Sequence, residues 1–267
     1  MCHHSRSSDN SASVVNQERE VLPTNVKPLH YDLTIEPIFD NFTFKGEETI
    51  DFQVNEKTNF ITLNSLEIEV QEAKIDGKSV TDISFDAGKQ TVTFKFDDDL
   101  TTGSIAKLYI KFTGELNDKM AGFYRASYQE DGKTKYMATT QMEPTDCRRA
   151  FPSYDEPAAK SKFTISLIAD KELVCLSNSS EKETVSLDGS KKKVTFQTTP
   201  LMSTYLVAFI VGDLRYISND NYRVPIRVYS TPGTEHLGEY SANIAAQTLK
   251  FFDQQFGIDY PYDKLDM

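Results

Sequence analysis

From His30 onward the chain repeats one pattern: apolar side chains at every second position for a few residues, then a turn signal. Tyr31, Leu33 and Ile35 alternate with polar neighbours over 30–37, and Ile50, Phe52 and Val54 do so over 49–54. Ile61, Leu63, Leu66, Ile68 and Val70 mark 60–75, Val92, Phe94 and Phe96 mark 91–96, and Leu108, Ile110 and Phe112 mark 105–112. Stretches at 136–140, 163–168, 194–196 and 224–229 continue the series. Period two sends successive side chains to opposite faces, as in a half-buried strand. Asp76-Gly77, Ala87-Gly88, Thr102-Gly103, Asp131-Gly132 and Asp188-Gly189 supply the turns. Strands joined so tightly, with no helix between them, predict an all-β fold, an antiparallel sandwich or saddle over residues 20–230. The near-continuous apolar run 205–211 predicts a central strand covered on both faces.

The period changes after Ser230-Thr231-Pro232-Gly233. Leu237, Tyr240, Ile244, Thr248, Phe251 and Phe252 recur at helical spacing, with Thr231 or Thr234 as the cap and Gly257 as the stop. This predicts one amphipathic helix over 234–256, opening a second domain at residue 231. Residues 258–267 join no predicted element. Residues 1–19, rich in Ser, Asn and His and without periodicity, read as a disordered tail. Its His3-His4 pair lacks the further ligands of a closed metal site.

The 267 residues suffice for a sizeable core, and 40 acids against 29 bases give a net charge of −11. That charge repels phosphate backbones and argues against a nucleic-acid partner. The basic run Lys191, Lys192 and Lys193 follows Asp188-Gly189 and reads as a solvated hairpin turn. The three cysteines, Cys2, Cys147 and Cys175, fit neither a zinc knuckle nor a redox pair, and free thiols suit a reducing compartment. No apolar signal region or membrane-length run occurs, so no membrane association and a cytoplasmic location are expected. The sequons at Asn41 and Asn178 are read as chance matches.

One stretch stands apart. Residues 139–157, TTQMEPTDCRRAFPSYDEP, crowd Glu143, Asp146, Arg148, Arg149, Asp155 and Glu156 into a window that follows a predicted strand. On physical grounds two readings are open. It is a solvated loop held by surface ion pairs, each contributing about 0–1 kcal/mol; or it is a loop that aims a carboxylate at a cationic ligand.

The stretch resembles the TQ-x-E-x-x-D-A-R-R-A-F-P-C-x-D-E-P block of M1 zinc aminopeptidases. Thr140, Gln141, Glu143, Asp146, Arg148, Arg149, Ala150, Phe151, Pro152, Asp155, Glu156 and Pro157 match that block. VLPTNVKPLHYDLTIEP, GEE, MAGFYRASY, LSN, MSTYLVAFIVGDLRY, VPIRVYSTPG and FFDQQFGIDYPYDKLDM follow the family's order. The resemblance spans residues 20–267 and is strongest to fungal cytosolic members. Cys147 replaces the usual Ala, Ser153 a frequent Cys, and Pro144 a small residue. Cys147 reads as a small buried side chain rather than a reactive thiol.

The resemblance implies a β-saddle domain whose TQ-x-E loop reaches the active-site cleft. Glu143 is then expected to accept hydrogen bonds from the free α-ammonium of a peptide substrate, and Gln141 to line the pocket for its first side chain. Asp155, Glu156, Arg148 and Arg149 are expected to hold the loop, stiffened by Pro152 and Pro157. The family's zinc site needs H-E-x-x-H on a helix and a later Glu, with a second amine-binding Glu in G-A-M-E-N. None of the four histidines, His3, His4, His30 and His236, forms such a pair. The expectation is an N-terminal portion that ends before the thermolysin-like α/β catalytic domain is complete. By itself it binds no zinc and is inactive, and its partners are that missing domain and peptides with a free N-terminus. The alternative is a stand-alone, non-catalytic β-sandwich that serves as a binding or interaction module.

Overall fold

The computed structural model describes residues 21–267. The predicted tail 1–19, with Cys2, His3 and His4, lies outside the described residues. The strands are β1 (Val26–Ile38), β2 (Thr43–Val54), β3 (Thr58–Asn64), β4 (Ile68–Ile75), β5 (Lys78–Ser79) and β6 (Asp82–Asp86). They continue with β7 (Thr91–Leu100), β8 (Ile105–Glu115), β9 (Gly122–Glu130), β10 (Lys133–Gln141), β11 (Lys162–Asp170) and β12 (Val174–Ser177). Then come β13 (Glu181–Ser186), β14 (Lys191–Phe196), β15 (Phe209–Gly212), β16 (Arg215–Asn219), β17 (Ile226–Ser230), helix α1 (Glu239–Phe256) and β18 (Leu265–Asp266).

The largest sheet orders eight strands as β13-β14-β11-β1-β2-β8-β4-β5. Its neighbours are antiparallel except β1 and β11, which run parallel from His30 opposite Lys162 to Ile35 opposite Leu167. A four-stranded sheet, β12-β15-β10-β9, and a three-stranded one, β3-β7-β6, complete the β-domain. The alternating residues read from the sequence face inward: Tyr31, Leu33, Ile35, Ile50, Phe52, Leu108, Ile110 and Phe112 are fully buried. Aromatic rings stitch the sheets together, with Phe123 of β9 between Phe44 of β2 at 5.3 Å and Phe209 of β15 at 4.9 Å.

The alternation in 60–75 belongs to two strands in two sheets, β3 and β4. Between them the backbone turns at Glu67, whose φ is +58°. The run 205–211 starts as a 3₁₀ turn at Thr204–Leu206 and becomes strand only at Phe209. β15 is central, between β12 and β10, and is buried apart from half-buried Ile210, while the exposed Leu206 and Ala208 belong to the segment that leads into it. The lysine run is not the hairpin turn: it forms the first half of β14, where Lys191 pairs with Glu36 of β1. Asn178 commits its side chain to the backbone of Leu206 and Ala208.

The C-terminal part has its own sheet, β16-β17-β18, against which α1 lies. Residues 265–266, which matched no predicted element, pair in parallel with β17. Neither threonine caps the helix. A 3₁₀ turn, Glu235–Gly238, precedes it, Gly238 takes the cap position without a side-chain bond, and the Thr234 hydroxyl donates to Thr231 O at 2.7 Å. Gly257 ends the helix at φ +64°, the left-handed conformation that glycine adopts without strain. The face that packs on the sheet is the small one, Gly238, Ala242 and Ala246. The large residues read as the apolar stripe stay outside, Tyr240 at 76% and Phe251 at 57% exposure.

Candidate functional site

The 139–157 stretch leaves the end of β10 and returns to the sheet before β11. Gln141 is the last residue of β10 and pairs with Gly122 of β9. Met142 turns inward and is buried, and Glu143, Pro144 and Thr145 form an exposed arch with a cis peptide between Glu143 and Pro144. The arch closes on itself where Asp146 N donates to Met142 O at 2.8 Å. A 3₁₀ turn, Cys147–Arg149, follows.

Two arginines fix that turn from opposite sides. Arg148 donates through Nε to Asp155 Oδ2 at 3.0 Å and through a terminal nitrogen to Gln90 Oε1 at 2.9 Å. Arg149 donates through Nε to Asp146 Oδ1 at 2.8 Å and meets Glu67 Oε2 at 2.5 Å. Asp155 is only 4% exposed and also accepts from Thr204 Oγ1 at 3.1 Å. The Arg148–Asp155 pair is therefore not the solvated surface pair of the bland reading, whereas Arg149 meets Glu67 on the exposed side of the turn. A buried carboxylate with two side-chain donors resists displacement more than an exposed ion pair does.

Backbone bonds add to the frame. Asn64 and Ser153 exchange N–H and C=O at 2.8 and 3.0 Å, and Leu66 N donates to Arg148 O at 2.9 Å. Glu156 Oε1 accepts from Leu22 N at 2.6 Å, tying the loop to the chain's entry. Tyr154 donates its hydroxyl to Pro23 O at 2.9 Å and its N–H to the Tyr31 hydroxyl at 3.1 Å. Cys147 is fully buried, with Ser153 Oγ 3.6 Å from its sulfur, and burial pushes its thiol well above the usual range. It is a packed side chain, as read from the sequence, and not a nucleophile.

Gln141 and Glu143 are both exposed and adjacent, the Gln141 amide donating to Glu143 O at 3.2 Å. The Glu143 carboxylate makes no hydrogen bond or ion pair with any described residue. A cavity of about 550 Å³ lies behind the loop, lined by Thr62, Thr93, Thr145, Arg148, Asp155 and Glu156 among others. Neither Gln141 nor Glu143 lines it. Arg148 and Asp155 on its wall pair with each other, and Glu156 and Asp86 accept from the backbone N–H groups of Leu22 and Lys89, so the open face of the arch is the better candidate for chemistry.

Sequence reasoning missed the partners that come from elsewhere: Asn64, Glu67, Gln90 and Gly122. Gly122 carried a signal, a glycine opening a strand. Its φ is +67°, and a Cβ there would lie 2.5 Å from Arg149 Cβ, so the turn seats directly on it.

Residues 27–206 match the family model of the peptidase M1 N-terminal domain. The chain belongs to the M1 peptidase family, and the region it matches is that family's N-terminal domain. It is 99% identical over 261 residues to aminopeptidase 2 of Candida albicans, a match covering 98% of this chain and 28% of that protein. It is 51% identical to the alanine/arginine aminopeptidase of Saccharomyces cerevisiae, over 93% of this chain and 30% of that protein. It is 37% identical to the puromycin-sensitive aminopeptidase of Caenorhabditis elegans, over 97% of this chain and 28% of that protein. The chain thus spans under a third of the length of these relatives. No helix among the described residues is long and apolar enough to cross a membrane.

Proposed function

We propose that this segment supplies the substrate-amine and first-side-chain loop of a zinc aminopeptidase, with Glu143 accepting from the α-ammonium of a peptide and Gln141 lining the pocket beside it. The observation that carries the reading is the Glu143 carboxylate, exposed and unpaired on an arch whose neighbouring acids are all engaged. An exopeptidase must count one residue from a free amine. A charge-assisted hydrogen bond, roughly twice the strength of a neutral one, does that counting. Where the catalytic domain covers the arch, an internal peptide brings no ammonium and leaves the carboxylate buried without a partner.

The zinc implied by the family does not fit this chain's own residues. His30 lies on β1 with Nε2 2.8 Å from Thr164 Oγ1, and His236 lies in the 3₁₀ turn before α1. Among the described residues no three His, Cys, Asp or Glu side chains converge on one point. In this reading the metal, its water and the second amine-binding glutamate belong to a catalytic domain outside this sequence. Residues 20–230 form the β-saddle and 231–267 open that domain, with the β16-β17-β18 sheet shared across the boundary. The exposed face of α1 favours this over a self-sufficient binding module, because an apolar patch of that size is ordinarily covered.

The test is Glu143→Ala in the longer, zinc-loaded enzyme. Truncating one partner of a desolvated charge pair costs about 2–5 kcal/mol. At 1.36 kcal/mol per decade, kcat/KM falls roughly 30-fold to several thousand-fold. N-acetylated peptides are poor substrates for the wild type, and the variant loses that preference. Equal kcat/KM values in folded, metal-loaded protein would remove the proposal.

A further inference from the structure

The arch 143–145 has two feet, and one side chain governs the second. Met142, the first foot, is buried in the core. Asp146, the second, is bonded through its backbone to Met142 O and through its carboxylate to Arg149 Nε at 2.8 Å. The same guanidinium reaches Glu67 on the β3–β4 connection, and Arg149 Cβ sits over Gly122, the residue paired with Gln141. Arg149 therefore joins the arch to β9 and to a corner of the three-stranded sheet at once. That corner is held at a cost, since Glu67 is a non-glycine residue at φ +58°. A planar fork with several fixed donors holds two carboxylates in one set geometry, more rigidly than a lysine ammonium on its flexible stem.

We propose that Arg149 is the positioning residue for the amine site: by clamping Asp146 against Glu67 and Gly122 it sets where the Glu143 carboxylate stands. The proposal rests on the reading of Glu143 as the amine acceptor. Arg149 touches no substrate in it. Its neighbour Arg148 faces away, toward Gln90 and Asp155, and serves the fold.

The experiment uses the longer zinc-loaded enzyme with Arg149→Met, Arg149→Lys, Glu143→Ala and the double variant Glu143→Ala/Arg149→Met. The readouts are kcat/KM for an aminoacyl-anilide and the preference for that substrate over its N-acetylated form. Arg149→Met is expected to lower kcat/KM roughly 10- to 100-fold, the penalty for displacing a positioned group by about an ångström. The preference for a free amine should shrink in parallel, and Arg149→Lys should fall between wild type and Arg149→Met. On the Glu143→Ala background Arg149→Met should add nothing to the loss. An equal Arg149→Met effect on both backgrounds, or an unchanged preference, would reduce Arg149 to a structural residue while leaving Glu143 in its role. A silent Glu143→Ala would overturn both. Should Arg149→Met fail to fold, Glu67→Gln weakens the clamp from its exposed side and carries the same test with the same sign.

Discussion

Glu48 is a carboxylic acid where the fold has no place for a charge, and replacing it with glutamine should change how stability depends on pH. It lies in the middle of β2, opposite Leu33 of β1 and Ile110 of β8, and is 1% exposed. Neither carboxyl oxygen has a hydrogen-bond partner among the described residues. Burial alone drives its pKa well above the ordinary 4.5. The sign follows. Below the unfolded-state value both states hold the proton and the native state suffers no penalty. Above it the unfolded chain releases the proton while the folded chain retains it, so stability falls as pH rises, until the folded carboxyl ionises. One proton corresponds to about 1.4 kcal/mol per pH unit. Glu48→Gln keeps the shape and removes the proton exchange. The stability of the variant minus that of the wild type should therefore climb by about 1.4 kcal/mol per pH unit from just above pH 4.5, and be flat below it. Groups that titrate alike in both proteins cancel in that difference. The chain has no tryptophan, so urea unfolding is followed by far-UV circular dichroism at half-unit steps from pH 5.5, clear of the isoelectric point near 4.9. Parallel curves for the two proteins across that range would mean that Glu48 ionises freely in the native state, and would refute the argument.

Three further outcomes are expected. The 267-residue segment alone should retain no stoichiometric zinc by atomic absorption after dialysis and should turn over no aminoacyl-anilide; metal together with turnover would contradict the donor-set argument. Asp155→Ala should destabilise the domain by about 3–5 kcal/mol, toward the low end because the Arg148 side chain keeps 13% exposure, as read from the shift in urea midpoint. Limited chymotryptic digestion should cut at Tyr240, Phe251, Phe252 or Phe256 and trim the chain to near Ser230 before the large sheet is touched. Digestion that spares α1 for as long as the sheet would mean that its Gly238–Ala242–Ala246 contact with β16 and β17 anchors it fully.

Much of the β-domain was legible because period-two alternation reports burial directly, and Tyr31 to Ile35 or Leu108 to Phe112 could hardly face any other way. What alternation does not encode is which sheet a strand joins. Residues 60–75 read as one stretch, yet their apolar positions slip from odd, Ile61 and Leu63, to even, Leu66, Ile68 and Val70, and that slip marks the corner at Glu67 where β3 gives way to β4. β13 is exposed at every position and β9 is mostly half-exposed past Phe123, so neither shows the contrast that marks a strand. The helix was legible as a helix, but its orientation was not. Spacing identified the large residues as the stripe to be buried, whereas close approach to the β16–β17 surface selects small ones, and Val228 stands 2.9 Å from where a Cβ of Gly238 would be. The large face fits an approaching partner, the small face a sheet already present.

The candidate site raises a different kind of problem. Its window holds four acidic residues, Glu143, Asp146, Asp155 and Glu156, and residue chemistry alone makes them equivalent. Tertiary structure sorts them by what each has left to offer. Asp155 is buried between Arg148 and Thr204, Asp146 is held by Arg149, and Glu156 caps the backbone of Leu22. Each of those bonds involves either a partner far away in sequence or a turn whose shape depends on one, so composition could not reveal them. Glu143 remains, lifted clear by an arch whose feet the other acids and their arginines secure. A carboxylate that must recognise a ligand has to be both unspent and stationary. These requirements conflict in a single residue, because the bonds that immobilise a side chain also occupy it. The loop divides them, assigning immobility to Asp146, Asp155 and Glu156 and availability to Glu143. On that division, substitutions at the bracing acids should first cost stability, and a substitution at Glu143 should cost recognition with the fold intact.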